Sequence, residues 1–171
     1  MNPMTNVRIE KLTLNVGAGK DEPKLKKGIL LLERVSEAKV IKTITTKRIP
    51  GWGVRPGLAL GAKTTLRGPK VKALLVRLFE SRENKLDENA FDDNGNVSFG
   101  ITEYINIPGM KYDPDIGMLG FEASLTLGKP GFRIKKRRIK PKKIPSNHKV
   151  NKQDAIDFMK KEFGIQVGDK E

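Results

Sequence analysis

Leu12, Leu14 and Val16 alternate with Thr13 and Asn15, a period of two that predicts a strand across Val7–Val16. Val7 and Ile9 fall in the opposite phase, so the strand is expected to carry a bulge near Lys11. The period then changes. Pro23 suits the first turn of a helix, and Leu25, Ile29, Leu32 and Val35 recur on one face. Ala38–Lys47 is β-branched and reads as a second strand. In Leu58–Arg67, Leu58, Leu60, Ala62, Thr64 and Leu66 alternate with Ala59, Gly61, Lys63, Thr65 and Arg67, a third strand. After Gly68 and Pro69 the spacing of Val71, Leu74, Leu75, Leu78 and Phe79 predicts a second helix.

Two further strands follow. Val97–Pro108 places Val97, Phe99, Ile101, Ile105 and Ile107 inward, and Leu119–Leu127 does the same with Leu119, Phe121, Ala123, Leu125 and Leu127. Asn151 can cap a last helix reaching Glu162 or Phe163, with Ala155, Phe158 and Met159 apolar. Adjacent strand pairs with helices between them predict an α+β, two-layer domain: a mainly antiparallel sheet, helices on one face, the other face open. The expected divisions are one domain over 1–127, an extension over 128–150, and a helix and tail over 151–171. A chain of 171 residues can bury the core this needs.

The positions assigned to the open face are Thr13, Asn15, Ala59, Gly61, Lys63, Thr65, Arg67, Ser98, Gly100, Thr102, Tyr104, Asn106, Gly120, Ser124 and Thr126. They are small, polar and able to hydrogen-bond. A solvated antiparallel sheet shows a polar face too. Small residues also let a nucleic-acid backbone approach, and Lys63 and Arg67 add charge.

Charge sharpens the picture. The net charge is +14, distributed as +12 over residues 1–79, −7 over 80–122, +10 over 123–150 and −1 over 151–171. Two basic blocks around an acidic one create a directional field whose natural partner is a polyanion. Arg133, Lys135, Lys136, Arg137, Arg138, Lys140, Lys142 and Lys143 put eight cations into eleven residues without an acid. Prolines stiffen this run and a capped helix follows it. It therefore reads as an RNA-binding arm, ordered before or on binding, against the plainer reading of a solubilising tail.

Candidate chemistry is mostly excluded. Gly57–Lys70, GLALGAKTTLRGPK, has a glycine and lysine spacing unlike a phosphate loop, and strand surrounds its lysine. Asp92, Asn94, Asn96 and Glu103 echo a calcium loop, but Val97 stands at the obligatory glycine, so a hairpin turn at Asn94-Gly95 is expected. His148 is the single histidine and there is no cysteine, which leaves no zinc site, triad or disulfide. No cofactor, metal or active site is expected. The N-terminus has no apolar leader, and no run nears the about 18 residues of a membrane span, so a soluble protein without membrane partner is expected. Between Arg48 and Gly57, the loop IPGWGVRPG centres on Trp52, the only tryptophan, which either tucks back or projects to stack on a nucleotide.

KLTLNVGAGK (Lys11–Lys20), GLALGAKTTLRG (Gly57–Gly68) and Phe91–Leu127 together resemble the universal family of large-subunit ribosomal proteins that hold 5S rRNA, number five in bacterial naming. The ending KKRRIKPKKIPSNHKVNKQDAIDFMKKEFG is similar to its archaeal and eukaryotic branch, and the bacterial helix before the first strand is absent. The resemblance implies an α+β fold and a structural, non-enzymatic role on the cytoplasmic ribosome. The implied partners are 5S rRNA, large-subunit rRNA, peptidyl-site tRNA and a small-subunit head protein. It implies 5S rRNA contacts at Asn15, Lys47, Lys63, Thr65, Arg67 and Gly68. The Arg48–Pro56 loop, with Gly51, Trp52, Gly53 and Arg55, is expected near the tRNA elbow. Tyr112, Asp113, Asp115 and Ile116 are expected toward the small subunit, where acidic charge would favour a basic partner. Two rival classes stay open: an RNA-modifying enzyme, needing an acid/base pair beside the basic face, and a protein adaptor using the acidic block.

Overall fold

A computed structural model describes residues 2–168; Met1 and the last three residues of the expected tail lie outside them. Its centre is a five-stranded, wholly antiparallel sheet of β1 (Arg8–Gly17), β2 (Ile41–Ile44), β3 (Ala59–Leu66), β5 (Asn96–Ile101) and β6 (Phe121–Gly128). The spatial order is β2-β3-β1-β6-β5. The helices are α1 (Glu22–Ser36), α2 (Lys70–Glu80), the short α3 (Arg133–Lys136) and α4 (Lys152–Phe163). A separate parallel ribbon joins β4 (Lys85–Asp87) to β7 (Gln166–Gly168).

Local chemistry explains the boundaries. Asp21 caps α1 by accepting from Lys24 N–H, Pro23 occupies its first turn, and Glu37 ends it in the left-handed conformation. Gly28 sits where α1 crosses β1: a Cβ there would come within 2.8 Å of Val16 Cγ1, so only glycine permits the approach. Asp154 closes the start of α4 by accepting from Asn151 N–H at 3.5 Å. The bulge expected near Lys11 falls at Glu10, where the β1–β6 register slips between Ile9 and Lys11.

One core serves all of these elements. Leu12, Leu14, Val16, Ala62, Val97, Phe99, Ala123 and Leu125 face the helices. Val71, Leu74, Leu75, Leu78 and Phe79 come down from α2, and Val150, Ala155, Ile156 and Met159 bring α4 and the segment before it into the same cluster. Phe79 touches Phe99 at 5.1 Å and Phe163 at 5.3 Å between centroids, tying α2, β5 and α4 together.

Two strand expectations need correction. Only Ile41–Ile44 of the expected Ala38–Lys47 strand is strand, because it pairs on one side alone and leaves Ile41 and Ile44 exposed. The strand expected to run through Pro108 ends at Ile101, and a 3-10 turn occupies Tyr104–Asn106. That turn breaks the two-residue phase, so Tyr104 is fully buried instead of lying on the open face. Its hydroxyl accepts from Asp113 N–H at 2.8 Å.

Candidate nucleic-acid interface

The strand register arranges the open face into rungs. One rung runs Ile41–Lys63–Asn15–Glu122–Gly100 across all five strands. Beside it, Thr65–Thr13–Ser124–Ser98 forms a row of four hydroxyls, with Ser98 Oγ and Ser124 Oγ 3.2 Å apart. The next is Lys11–Thr126–Asn96, and Arg67 continues the same phase just past β3. Hydroxyls donate and accept, so such a row can meet ribose hydroxyls and phosphate oxygens alike. Of the residues expected here, Asn15, Lys63 and Thr65 are neighbours, with Arg67 and Gly68 at the sheet's end. Lys47 lies off these rungs, in the turn after β2, where its N–H donates to Thr45 Oγ1.

The sheet has two ends with different surroundings. β1 begins, and β3 and β6 finish, at the Arg67 end; β1 finishes and β3 begins at the Trp52 end. The ten residues of β1 span about 30 Å between them. The basic arm leaves the Arg67 end. Its two feet are pinned together: Lys129 Nζ donates to Asp154 at 2.8 Å and to the Lys149 carbonyl at 3.0 Å. His148 Nε2 also meets the Pro130 carbonyl at 2.7 Å, its ring edge-on to Phe132. The Lys129 ammonium bonded to it holds the Asp154 carboxyl below its ordinary range; the Asn151 N–H acts the same way, and partial burial opposes both.

Between these feet the chain folds on itself. Arg137 Nε donates to the Lys140 carbonyl at 2.8 Å and Lys142 N–H to the Ile134 carbonyl at 3.3 Å. Arg133, Lys135, Lys136, Arg137, Arg138, Lys140, Lys142 and Lys143 are all exposed. Lys136 differs from the rest in pairing with Glu10 at the β1 bulge. That partner was not visible in the sequence, because the two residues are 126 positions apart.

At the other end, Pro50–Trp52 forms a 3-10 turn closed by reciprocal Ile49–Val54 bonds at 3.0 Å. Trp52 is 70% exposed, so it does not tuck back. Arg48, Gly51 and Arg55 share its exposure. Gly53 takes φ 57°, and a Cβ there would come within 2.9 Å of Lys20 Cε. Lys20 thereby joins this loop, a neighbour that linear reading did not supply.

The β5–β6 connection runs back along α1. Tyr112 and Asp115 are exposed, but Asp113 turns inward to pair with Arg34, its side chain 15% exposed. The Asp115 N–H, first, and then Arg34 hold the Asp113 carboxyl below its usual range, against some desolvation. Ile116 is 2% exposed in the core, which corrects its expected place on a contact surface. Packing claims Ile116, while Tyr112, Asp115 and Met118 stay outside. The Asp92 turn is a hairpin: Asp92 accepts from the Asn94 and Asn96 side-chain amides, which, Asn96 before Asn94, lower its pKa. Glu122, in the middle of the open face, is the residue sequence reading passed over; the alternation of β6 was enough to find it.

A small, hydroxylated sheet face beside a stapled basic arm defines an α+β scaffold that can offer hydrogen-bond donors and cations to a polyanion. The model of the C-terminal region of the ribosomal L5 family matches residues 59–162. The large ribosomal subunit protein uL5 of Nanoarchaeum equitans is 46% identical over 167 residues, covering 97% of this chain and 98% of that one. The uL5 proteins of Sulfurisphaera tokodaii and Methanosphaera stadtmanae are each 40% identical, covering 98% of this chain and 95% and 99% of theirs. The chain belongs to the ribosomal L5 family. It is a structural, non-enzymatic constituent of the large subunit of the cytoplasmic ribosome.

Proposed function

We propose that the protein holds 5S rRNA through the open sheet face and the arm, and so attaches it to the large-subunit rRNA. The observation that carries this is the row structure of the face. Asn15, Thr65, Thr13 and Ser124 are held by strand register at neighbouring positions, with Lys63 beside Asn15, so the short side chains' donors vary little in place before RNA arrives. The arm adds phosphate neutralisation without sequence preference. In the same reading, exposed Trp52, with Arg48 and Arg55, meets the elbow of the peptidyl-site tRNA. Tyr112 and Asp115 then face a basic protein of the small-subunit head.

The test is titration of the full chain with 5S rRNA and with an unrelated RNA of equal length over a salt series. A preference for 5S rRNA that survives high salt supports the reading. Equal affinities that vanish together would leave only a basic RNA-binding arm.

A further inference from the structure

Glu122 poses a physical problem. It is a carboxylate on a surface otherwise suited to phosphate, exposed, and among the described residues it has no ion-pair partner. Repulsion from a nearby phosphate weakens binding unless the carboxylate accepts hydrogen bonds from the same ligand. Its neighbours show what such a ligand looks like. Asn15, directly opposite on β1, donates its Nδ2 to Glu122 Oε2 at 3.5 Å, the long limit of a hydrogen bond and readily opened. Gly100, opposite on β5, leaves free space: a Cβ there would touch nothing within 4 Å.

We infer that Asn15 and Glu122 form a reading site for the Watson–Crick edge of one unpaired guanine, seated over the Gly100 notch. The inference rests on the proposed RNA-binding role of this face. With that long bond opened, the amide N–H and the two carboxylate oxygens can present donor, acceptor, acceptor to one ligand. Guanine presents the complement, O6 as acceptor and N1–H and N2–H as donors. Adenine places a lone pair at N1 where the carboxylate needs a donor, cytosine does so at N3, and uracil supplies a single N–H. Unpaired bases are where proteins read RNA sequence, and they do so on this edge. Lys63, the next rung position beyond Asn15, stands ready for a neighbouring phosphate.

The experiment uses the full chain, wild type and Glu122→Gln, bound at saturation to 5S rRNA and, separately, to large-subunit rRNA. A dicarbonyl reagent that adds across guanine N1 and N2 then maps protected guanines. Glu122→Gln keeps size and exposure, and an unchanged unfolding midpoint verifies the fold. The expected result is one wild-type-protected guanine that becomes reactive in Glu122→Gln while other protections persist, with affinity reduced about tenfold. Glu122→Ala should expose the same guanine. Identical footprints, or a rise in affinity without loss of any protection, would overturn the inference and leave Glu122 as a repulsive charge. Failure of 5S preference in the wild type would sink the 5S assignment separately. The guanine site would then stand or fall on the large-subunit rRNA footprint.

Discussion

The sheet face and the basic arm both carry cations, and they differ in everything else. On the face, three cations, Lys11, Lys63 and Arg67, stand among hydroxyls and amides whose spacing is dictated by backbone pairing. On the arm, eight cations crowd a short, proline-bounded loop whose feet are stapled and whose side chains are exposed. Long exposed side chains adapt to many backbones, so in the proposed role the arm supplies affinity with little discrimination. The short hydroxyl and amide side chains held by register adapt less, so in the proposed role the face supplies discrimination with fewer charges. The division of labour follows from stiffness as much as from charge.

The largest effect should come from the arm. Replacing Arg133, Lys135, Arg137 and Arg138 together with glutamine should weaken binding to 5S rRNA and unrelated RNA alike. The slope of log affinity against log salt should fall by about 0.7 to 0.9 for each phosphate no longer neutralised. A selective loss for 5S rRNA would erase the distinction between the two regions. On the face, Lys63→Ala and Arg67→Ala should each reduce 5S rRNA affinity about tenfold and change unrelated RNA far less, as filter binding at fixed salt can establish.

Stability should respond elsewhere. Tyr104→Phe removes the acceptor of the Asp113 N–H in a part-buried setting and should cost about 1–3 kcal/mol in urea unfolding, with RNA affinity unchanged. The smallest effect concerns the staple. Asp154 is held below the ordinary aspartate value of 3.8, so its contribution is complete above that value and is lost as pH falls through the lower, folded value. Hydrogen exchange around residues 149–155, corrected for intrinsic rates, should therefore accelerate only in that acidic window. Asp154→Asn should remove the pH dependence; a variant that keeps it would place the titrating group elsewhere.

Much of this was legible from periodicity. The Leu12–Val16 alternation, the bulge, the Val71–Phe79 helix and the Asn94-Gly95 turn all rest on local chemistry, and local chemistry is what a linear pattern encodes. Tyr104 was misplaced because a 3-10 turn interrupts the two-residue phase, which no property of Tyr104 itself announces. The parallel β4–β7 ribbon escaped notice because its strands are three residues each and lie far apart in sequence. Glu10–Lys136 and Lys20 against Gly53 likewise depend on the folded path. On the candidate interface, Asn15, Lys63, Thr65 and Arg67 could be assigned because alternation fixes a side. Asp113 and Ile116 could not, since an irregular connection has no period to betray which residues turn inward.

The most direct test of the division between face and arm is one ratio, the affinity for 5S rRNA over that for an equal-length unrelated RNA at high salt. It is measured in wild type, in the Lys63→Ala/Arg67→Ala pair, and in the fourfold arm variant. The account predicts that the ratio collapses in the face variant and survives in the arm variant, although the arm variant binds both RNAs more weakly. A ratio that survives in the face variant and collapses in the arm variant would contradict it.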